Sequence, residues 1–378
     1  SAHTTGDGNN TALGAQTLQD TTTGGNNLAA GTDALRLNTT GASNTALGAN
    51  ALDSNTTASN NTAVGRLALG ANTTGSENTA VGSFALDANT EGLYNTAVGH
   101  DALGSNTTGD RNCAFGFNTL DACTTADYNS AFGMNALSAS TTGFQNVAVG
   151  YNALTSLTIS GRNTAVGFEC LKNTTEAGFN TAVGHSCMQS NTTGSYNVAM
   201  GQEALTSLTT GQHNVALGYQ CLYSITTANS NTAVGADALD VCTASGNTAV
   251  GRNALGQNTS GGTNVGIGNG AGGNVTTGSY NTFLNSTGPV STGNYNMLLG
   301  FNAGEAGSPS GQVTTGSGNV VLGNNNVANL FCADTSISSS DQRDKTDISN
   351  FNIGLAWINA LRPITYRWDR RTWYGTDE

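Results

Sequence analysis

From Asn10 to Asn231 the chain repeats one phrase, N-T-A-V-G-x-x-A-L, at an unbroken interval of seventeen residues, as at Asn78–Leu86 and Asn95–Leu103. In every unit the first position is Asn, the third Ala, the fifth Gly and the thirteenth Thr; the ninth is Leu, with Met188 the one exception. Side chains alternate along a strand, so Asn95 and Ala97 face one way and Thr96 and Val98 the other. Both sets are constrained, the second position being mostly Thr or Val and the fourth Val, Leu or Phe. The pattern predicts a strand over the first four positions, a bend at the glycine (Gly82, Gly99), a second short strand around positions eight and nine, and a return turn over the last four. Seventeen residues are too few for a helical-pair repeat of about 33 to 45, and Thr, Val and Gly suit strands and turns. The predicted fold class is all-β, a stacked β-solenoid or β-roll of 17-residue repeats, ending in a short α+β segment.

A strand constrained on both faces needs cover on both, and a coil has only one inside. Ordering one coil costs on the order of 17 to 34 kcal/mol, whereas burying its Leu and Val returns about 3 to 6. Stacked backbone hydrogen bonds and an Asn ladder supply part of the difference, and other chains are expected to cover the rest. A homotrimer is expected, with the first strand turned toward its neighbours and the choice of face left open. About eighteen coils at ~4.8 Å each give a rod roughly 85 Å long. The interval loosens through Asn247, Asn264, Asn281, Asn296 and Asn319. The expected divisions are regular repeats over 1–262, divergent Gly-rich repeats over 263–331, a linker over 332–339 and a distinct segment over 340–378.

Composition excludes several functions. Gly is 51 of 378 residues, Pro 3, and charged residues only 10%, too few charges for typical disorder. Net charge is −12, and residues 1–340 hold six Lys or Arg against eighteen Asp or Glu. An acidic shaft without a basic stripe is not a nucleic-acid binder, and no run of about 18 apolar residues predicts membrane insertion. The chain opens at Ser1 without Met, so a leader or upstream domain is expected to be missing and targeting is not readable.

Candidate chemistry is sparse. Asp53, Asp87 and Asp121 share the tenth position, two coils apart, and Asp101, Glu169, Glu203 and Asp237 the seventh. Carboxylates about 9.6 Å apart lie near the spacing of inverting glycosidases, so a polysaccharide-cleaving spike is weighed against a solvated fibre surface, and the latter is expected. The thirteenth-position Thr column reads as inward hydrogen bonding at a turn more simply than as an ice-binding array. The N-T-T triplets match glycosylation sequons at that same turn. His100 and His185 share the sixth position about 24 Å apart, and no metal or cofactor is expected. Cys170, Cys187 and Cys221 replace Ala, and Cys123 and Cys242 mostly replace Asn; they read as small buried fillers, with Cys170 and Cys187 near enough for a disulfide that is not expected.

The phrase resembles the head repeats of trimeric autotransporter adhesins, and more closely the repeats of bacteriophage tail fibres, including N-V-G-I-G-N-G-A-G at Asn264–Gly272. At the other end, S-D-Q-R-D-K-T-D-I, Ser340 to Ile348, resembles the opening of the endosialidase-type intramolecular chaperone domain, S-D-x-R-x-K-x-x-I, with Ser340, Asp341, Arg343, Lys345 and Ile348 matching. Asn352–Leu361 then reads as an amphipathic helix ended by Pro363, and Ile364–Trp368 as a strand. The resemblance implies trimerisation, assisted folding, and self-cleavage of the Ser339–Ser340 bond, with Ser340 as nucleophile and Lys345 as base. The 39 residues after Ser339 are fewer than a full domain of that family has, so a truncated or reduced one is expected. The expected function is a viral tail fibre, a structural and non-enzymatic shaft in the virion, assembled in the host cytoplasm. Its expected partners are its own copies, other tail proteins and a host-surface glycan or protein. The alternatives are a bacterial surface adhesin and a depolymerase spike.

Overall fold

The structure, a computed structural model, describes residues 8–308 and 310–327. Nineteen three-residue strands, from β1 (Thr11–Leu13) to β19 (Val320–Leu322), form one parallel sheet. Each strand pairs with the one a coil before and a coil after. In the middle of the stack Thr79 lies beside Thr96, Ala80 beside Ala97 and Val81 beside Val98. The constant repeat length makes this register: identical residues stack on identical residues, so whatever satisfies one coil satisfies the next.

The strand occupies positions two to four, and its alternation decides the inside. Ala80, Ala97 and Ala114 are completely buried, while Thr96 and Val98 are half-buried and face outward. The core is therefore thin: the Ala of position three, the residue of position eight, usually Ala, the Leu of position nine, and two Asn columns.

The expected second strand does not form. Positions seven and nine both adopt left-handed backbone, as at Asp101 (φ 55°) and Leu103 (φ 53°), and the segment is a series of turns. An extended segment would send Ala102 and Leu103 to opposite faces, yet both are fully buried. The two kinks turn both side chains inward. Two left-handed residues cost about 2–4 kcal/mol together, which the burial of the Leu, about 1.5–3 kcal/mol, and of the Ala methyl, about 0.8 kcal/mol, offsets.

The fifth-position glycine has a different reason. Gly116 has φ 139°, and a Cβ there would lie 2.7 Å from the carbonyl oxygen of Gly133 in the next coil. Both the conformation and the close stacking of backbones require its lack of a side chain.

The invariant Asn closes each coil and ties it to the next. Asn95 Nδ2 donates to the Gly109 carbonyl (2.8 Å), and its Oδ1 accepts from the backbone N–H of Asn112 (2.9 Å). The chain thus has one residue that both bridges the two ends of a coil and caps an otherwise unpaired donor of its neighbour. Asp lacks the donor for this double role. A second Asn column at position twelve links Asn55, Asn72, Asn89 and Asn106 amide to amide (2.8–3.1 Å). The thirteenth-position Thr donates to the backbone of the next coil, as Thr90 Oγ1 does to the Thr107 carbonyl (3.1 Å).

Candidate assembly interface

Outward-pointing side chains of the strand side fall into four columns, at positions seventeen, two, four and six. Among the described residues every exposed large apolar side chain lies in these columns except Phe144, Ile159, Val241 and Val327. The strand's free face is thus the fourth-position row of Val64, Val98, Phe115, Phe132, Val149 and Met200 with its neighbours. Such a concentration exceeds the scattered apolar exposure of ordinary surfaces.

Ring ladders flank the strand. At position seventeen, Phe179, Tyr196 and His213 stack at 4.9 and 5.2 Å, and the Arg111 guanidinium lies between the rings of Tyr94 (5.2 Å) and Tyr128 (5.5 Å). At position six, Tyr151, Phe168 and His185 stack at 5.3 and 5.1 Å. Phe115 and Phe132 stack within the strand row itself, 5.1 Å apart. Repeat spacing alone places these rings in contact, so each column covers its own ring faces and leaves ring edges outward. Sequence reasoning met the sixth position through His100 and His185 and missed the seventeenth. The signal was the residue before each Asn: Tyr94, Tyr128, Tyr196, Tyr280 and Tyr295.

The acids divide into two groups. Three of those at position seven are held in surface pairs: Asp101 with His100 (2.8 Å), Glu169 with Lys172 (2.7 Å) and Gln189 (2.6 Å), and Glu203 with Gln220 (2.8 Å). The hydrogen bond from Lys172 is the main cause that holds the Glu169 carboxyl below its ordinary value. At position ten, Asp53 takes two hydrogen bonds from Arg36 (2.9 and 3.1 Å). Asp87 and Asp121 have no such cation. Burial, and then the charge of Asp101, push both carboxyls above their ordinary value. A raised carboxyl suits a general acid, but desolvation and crowding by Asp101 account for it without a substrate.

The cysteines of positions eight and twelve are buried free thiols. Burial raises the Cys123 and Cys221 thiols to about 12, and a hydrogen bond with Cys170 together with burial raises that of Cys187. Such thiols are unreactive. Cys113, at position two, is half-buried on the apolar face. The acceptors of the N-T-T triplets at Asn38, Asn55, Asn72, Asn106 and Asn191 are wholly buried and hydrogen-bonded, which closes these sequons to a transferase, whereas Asn173 of the same pattern is exposed. His100 meets Phe84 edge-on (5.7 Å) and stacks on Phe117 (5.6 Å), which gives it a packing role.

Ser340, Lys345, the linker 332–339, and the helix and strand expected over 352–361 and 364–368 lie outside the described residues, as do His3 and Cys332. Residues 340–377 match the family model described as chaperone of endosialidase. The endosialidase-chaperone match begins at Ser340, the residue that opens the S-D-x-R-x-K pattern, and spans Lys345. Domains of this kind are autoproteolytic intramolecular chaperones, and one placed behind a parallel β-solenoid fits a protein of the tail-fibre or spike type. No curated protein matches the chain.

Proposed function

We propose that this chain is the shaft of a homotrimeric viral tail fibre that gives reach and carries attachment to a host surface, with the endosialidase-chaperone segment driving its assembly. The observation that carries the reading is the pairing of that match at 340–377 with a solenoid whose apolar side chains gather on one face. Trimerisation would turn the second- and fourth-position rows toward neighbouring chains. Completing the burial of one half-covered Val or Phe per coil returns about 1 kcal/mol. Nineteen such coils outweigh an association cost of about 4–15 kcal/mol, whereas two or three would not. A long stack and a shared face therefore depend on each other.

The segment would also release itself. Ser340 Oγ attacks the Ser339 carbonyl, Lys345 Nζ takes the hydroxyl proton, the Ser339–Ser340 peptide bond breaks with its nitrogen protonated, and water hydrolyses the ester. Five residues apart, Ser340 and Lys345 need a loop or a neighbouring chain to bring them together, which would make cleavage wait for assembly.

Native mass and one native cysteine test the reading. The purified chain has the mass of three copies, and Val98→Asp breaks the assembly because a charge enters a dry contact. In a Cys332→Ser background, Cys113 reacts with a thiol reagent only when the trimer is dissociated. A folded monomer with a reactive Cys113 would refute the interface. Expression of the complete gene gives a fragment beginning at Ser340, which Ser340→Ala and Lys345→Ala each abolish. Cleavage unchanged in both variants would refute the dyad.

A further inference from the structure

The described coils are fifteen to seventeen residues long with one exception: Asn296 to Asn319 spans twenty-three. The extra chain is an excursion over 305–308 and 310–312, with 309 outside the described residues, closed at its base where the Val313 N–H donates to the Gly304 carbonyl (2.9 Å). Successive turns fold it, from Ser308 N–H to the Glu305 carbonyl and from Gly311 N–H to that of Ser308 (both 2.8 Å). Ser308 Oγ then donates to the carbonyl of Gly323 in the following coil (3.3 Å), which holds the excursion against it. In repeat architectures an insertion confined to one unit is where binding loops occur.

Between the excursion and the following coil lies a cavity of about 180 Å³ lined by Asn302, Glu305, Gly307, Asn324, Asn325 and Asn326. None of the described lining residues has an apolar side chain, unlike those of the core and the strand face. Asn302 Oδ1 accepts from Thr287 (3.3 Å) and Asn324 Oδ1 from the Asn326 N–H (3.0 Å). The Glu305 carboxylate and the side-chain amides of Asn325 and Asn326 make no hydrogen bond or ion pair among the described residues. Amides offer a donor and an acceptor on one planar group, and a carboxylate offers two acceptors. A hydroxyl is both donor and acceptor, so neighbouring hydroxyls on a sugar ring match such a lining. A calcium ion would need six to eight oxygens and usually several carboxylates, and the described lining has one.

We propose that this cavity is a saccharide-binding site, occupied by one ring of a surface glycan. Among the described lining residues Glu305 is the one carboxylate, and glycoside hydrolysis needs an acid and base pair, so the proposed role is binding. The proposal rests on the attachment reading and places it at the last described turns of the solenoid. A small polar site binds one ring weakly, and three copies on one fibre would act together through avidity.

The test uses the full chain, a panel of free monosaccharides and short bacterial-surface oligosaccharides, and calcium chloride alone, read by saturation-transfer and chemical-shift NMR. At least one saccharide gives transfer to wild type, and the signal falls at least tenfold in Asn325→Ala/Asn326→Ala and in Glu305→Gln. The mutated residues are exposed or half-buried, so thermal unfolding is unchanged. Absence of any saccharide signal in wild type, equal binding by the variants, or a response to calcium alone at Glu305 overturns the site. Adsorption to bacterial cells separates the two readings. If wild type adsorbs and the double variant adsorbs equally, the cavity fails and attachment stands; if wild type adsorbs to no cell, the attachment reading fails.

Discussion

Replacing Asn95 with Leu tests why one residue type fills the first position of every coil. The substitution keeps roughly the same volume, so the change is one of hydrogen bonding. It removes the bond from Asn95 Nδ2 to Gly109 (2.8 Å) and the acceptor of the Asn112 backbone N–H (2.9 Å). The Gly109 carbonyl keeps a second donor, Asn106 Nδ2 (3.1 Å), but the Asn112 N–H is left buried and unpaired. An orphaned buried donor costs about 1–3 kcal/mol and each lost bond about 1, so about 2–5 kcal/mol is expected. Asn106→Leu in the same coil is the control. Its loss orphans only the side-chain oxygen of Asn89, and the same column already holds Leu157, Leu208 and Ile225, fully buried, in other coils. The orphaned oxygen costs about 1–3 kcal/mol, and the transfer of the Leu side chain from water into the core returns about 1.5–3, so that variant costs within about 1 kcal/mol. Because stacked repeats open locally, hydrogen exchange read by mass spectrometry over residues 108–116 is a better assay than a global melting curve. Exchange there accelerates by a factor of about 30 to several thousand in Asn95→Leu, from about 1.4 kcal/mol per tenfold, and less than tenfold in Asn106→Leu. Equal acceleration in the two variants would refute the special role of the first Asn.

Gly116→Ala places a Cβ 2.7 Å from the Gly133 carbonyl oxygen at a φ of 139°, so the strain and clash cost about 2–6 kcal/mol and limited proteolysis cuts between residues 116 and 133; a variant as resistant as wild type would contradict the close approach of the coils. Asp87→Asn/Asp121→Asn raises the thermal midpoint at pH 7. The native carboxyls titrate above the value of 3.8 expected for the unfolded chain, so the native state binds more protons in the window between the two values. Their ionisation therefore opposes folding at neutral pH, and the advantage of the double variant shrinks as pH falls and vanishes below 3.8. A lower midpoint at pH 7, or a gain that does not change with pH, would show that the two acids have a favourable partner.

Repeat length and alternation are enough to read a parallel solenoid from this chain, because a seventeen-residue interval with fixed Asn, Ala and Gly permits only coils that stack in register. Chemistry of the residue types is also legible: a glycine invariant over fourteen units announces backbone that no side chain can share, and an invariant Asn announces a buried amide. The sequence could not say which face of the strand is inside, since Asn95 with Ala97 and Thr96 with Val98 are both constrained sets. Tertiary structure decided it: a coil this narrow has room for Ala but not Val opposite the ninth-position Leu, so Val98 is turned out and Ala97 in. The second strand was misread for a related reason, because left-handed backbone at Asp101 and Leu103 is imposed by the need to bury both Ala102 and Leu103, and no local propensity predicts it. Only stacking turned residues seventeen apart, such as Phe179 and Tyr196, into ring ladders, and only the folded last coils brought Glu305 beside Asn325. The Ser340–Lys345 reading stands on the opposite footing: its pattern is visible in the letters, while the proximity that the proposed reaction needs would come from the assembled fold.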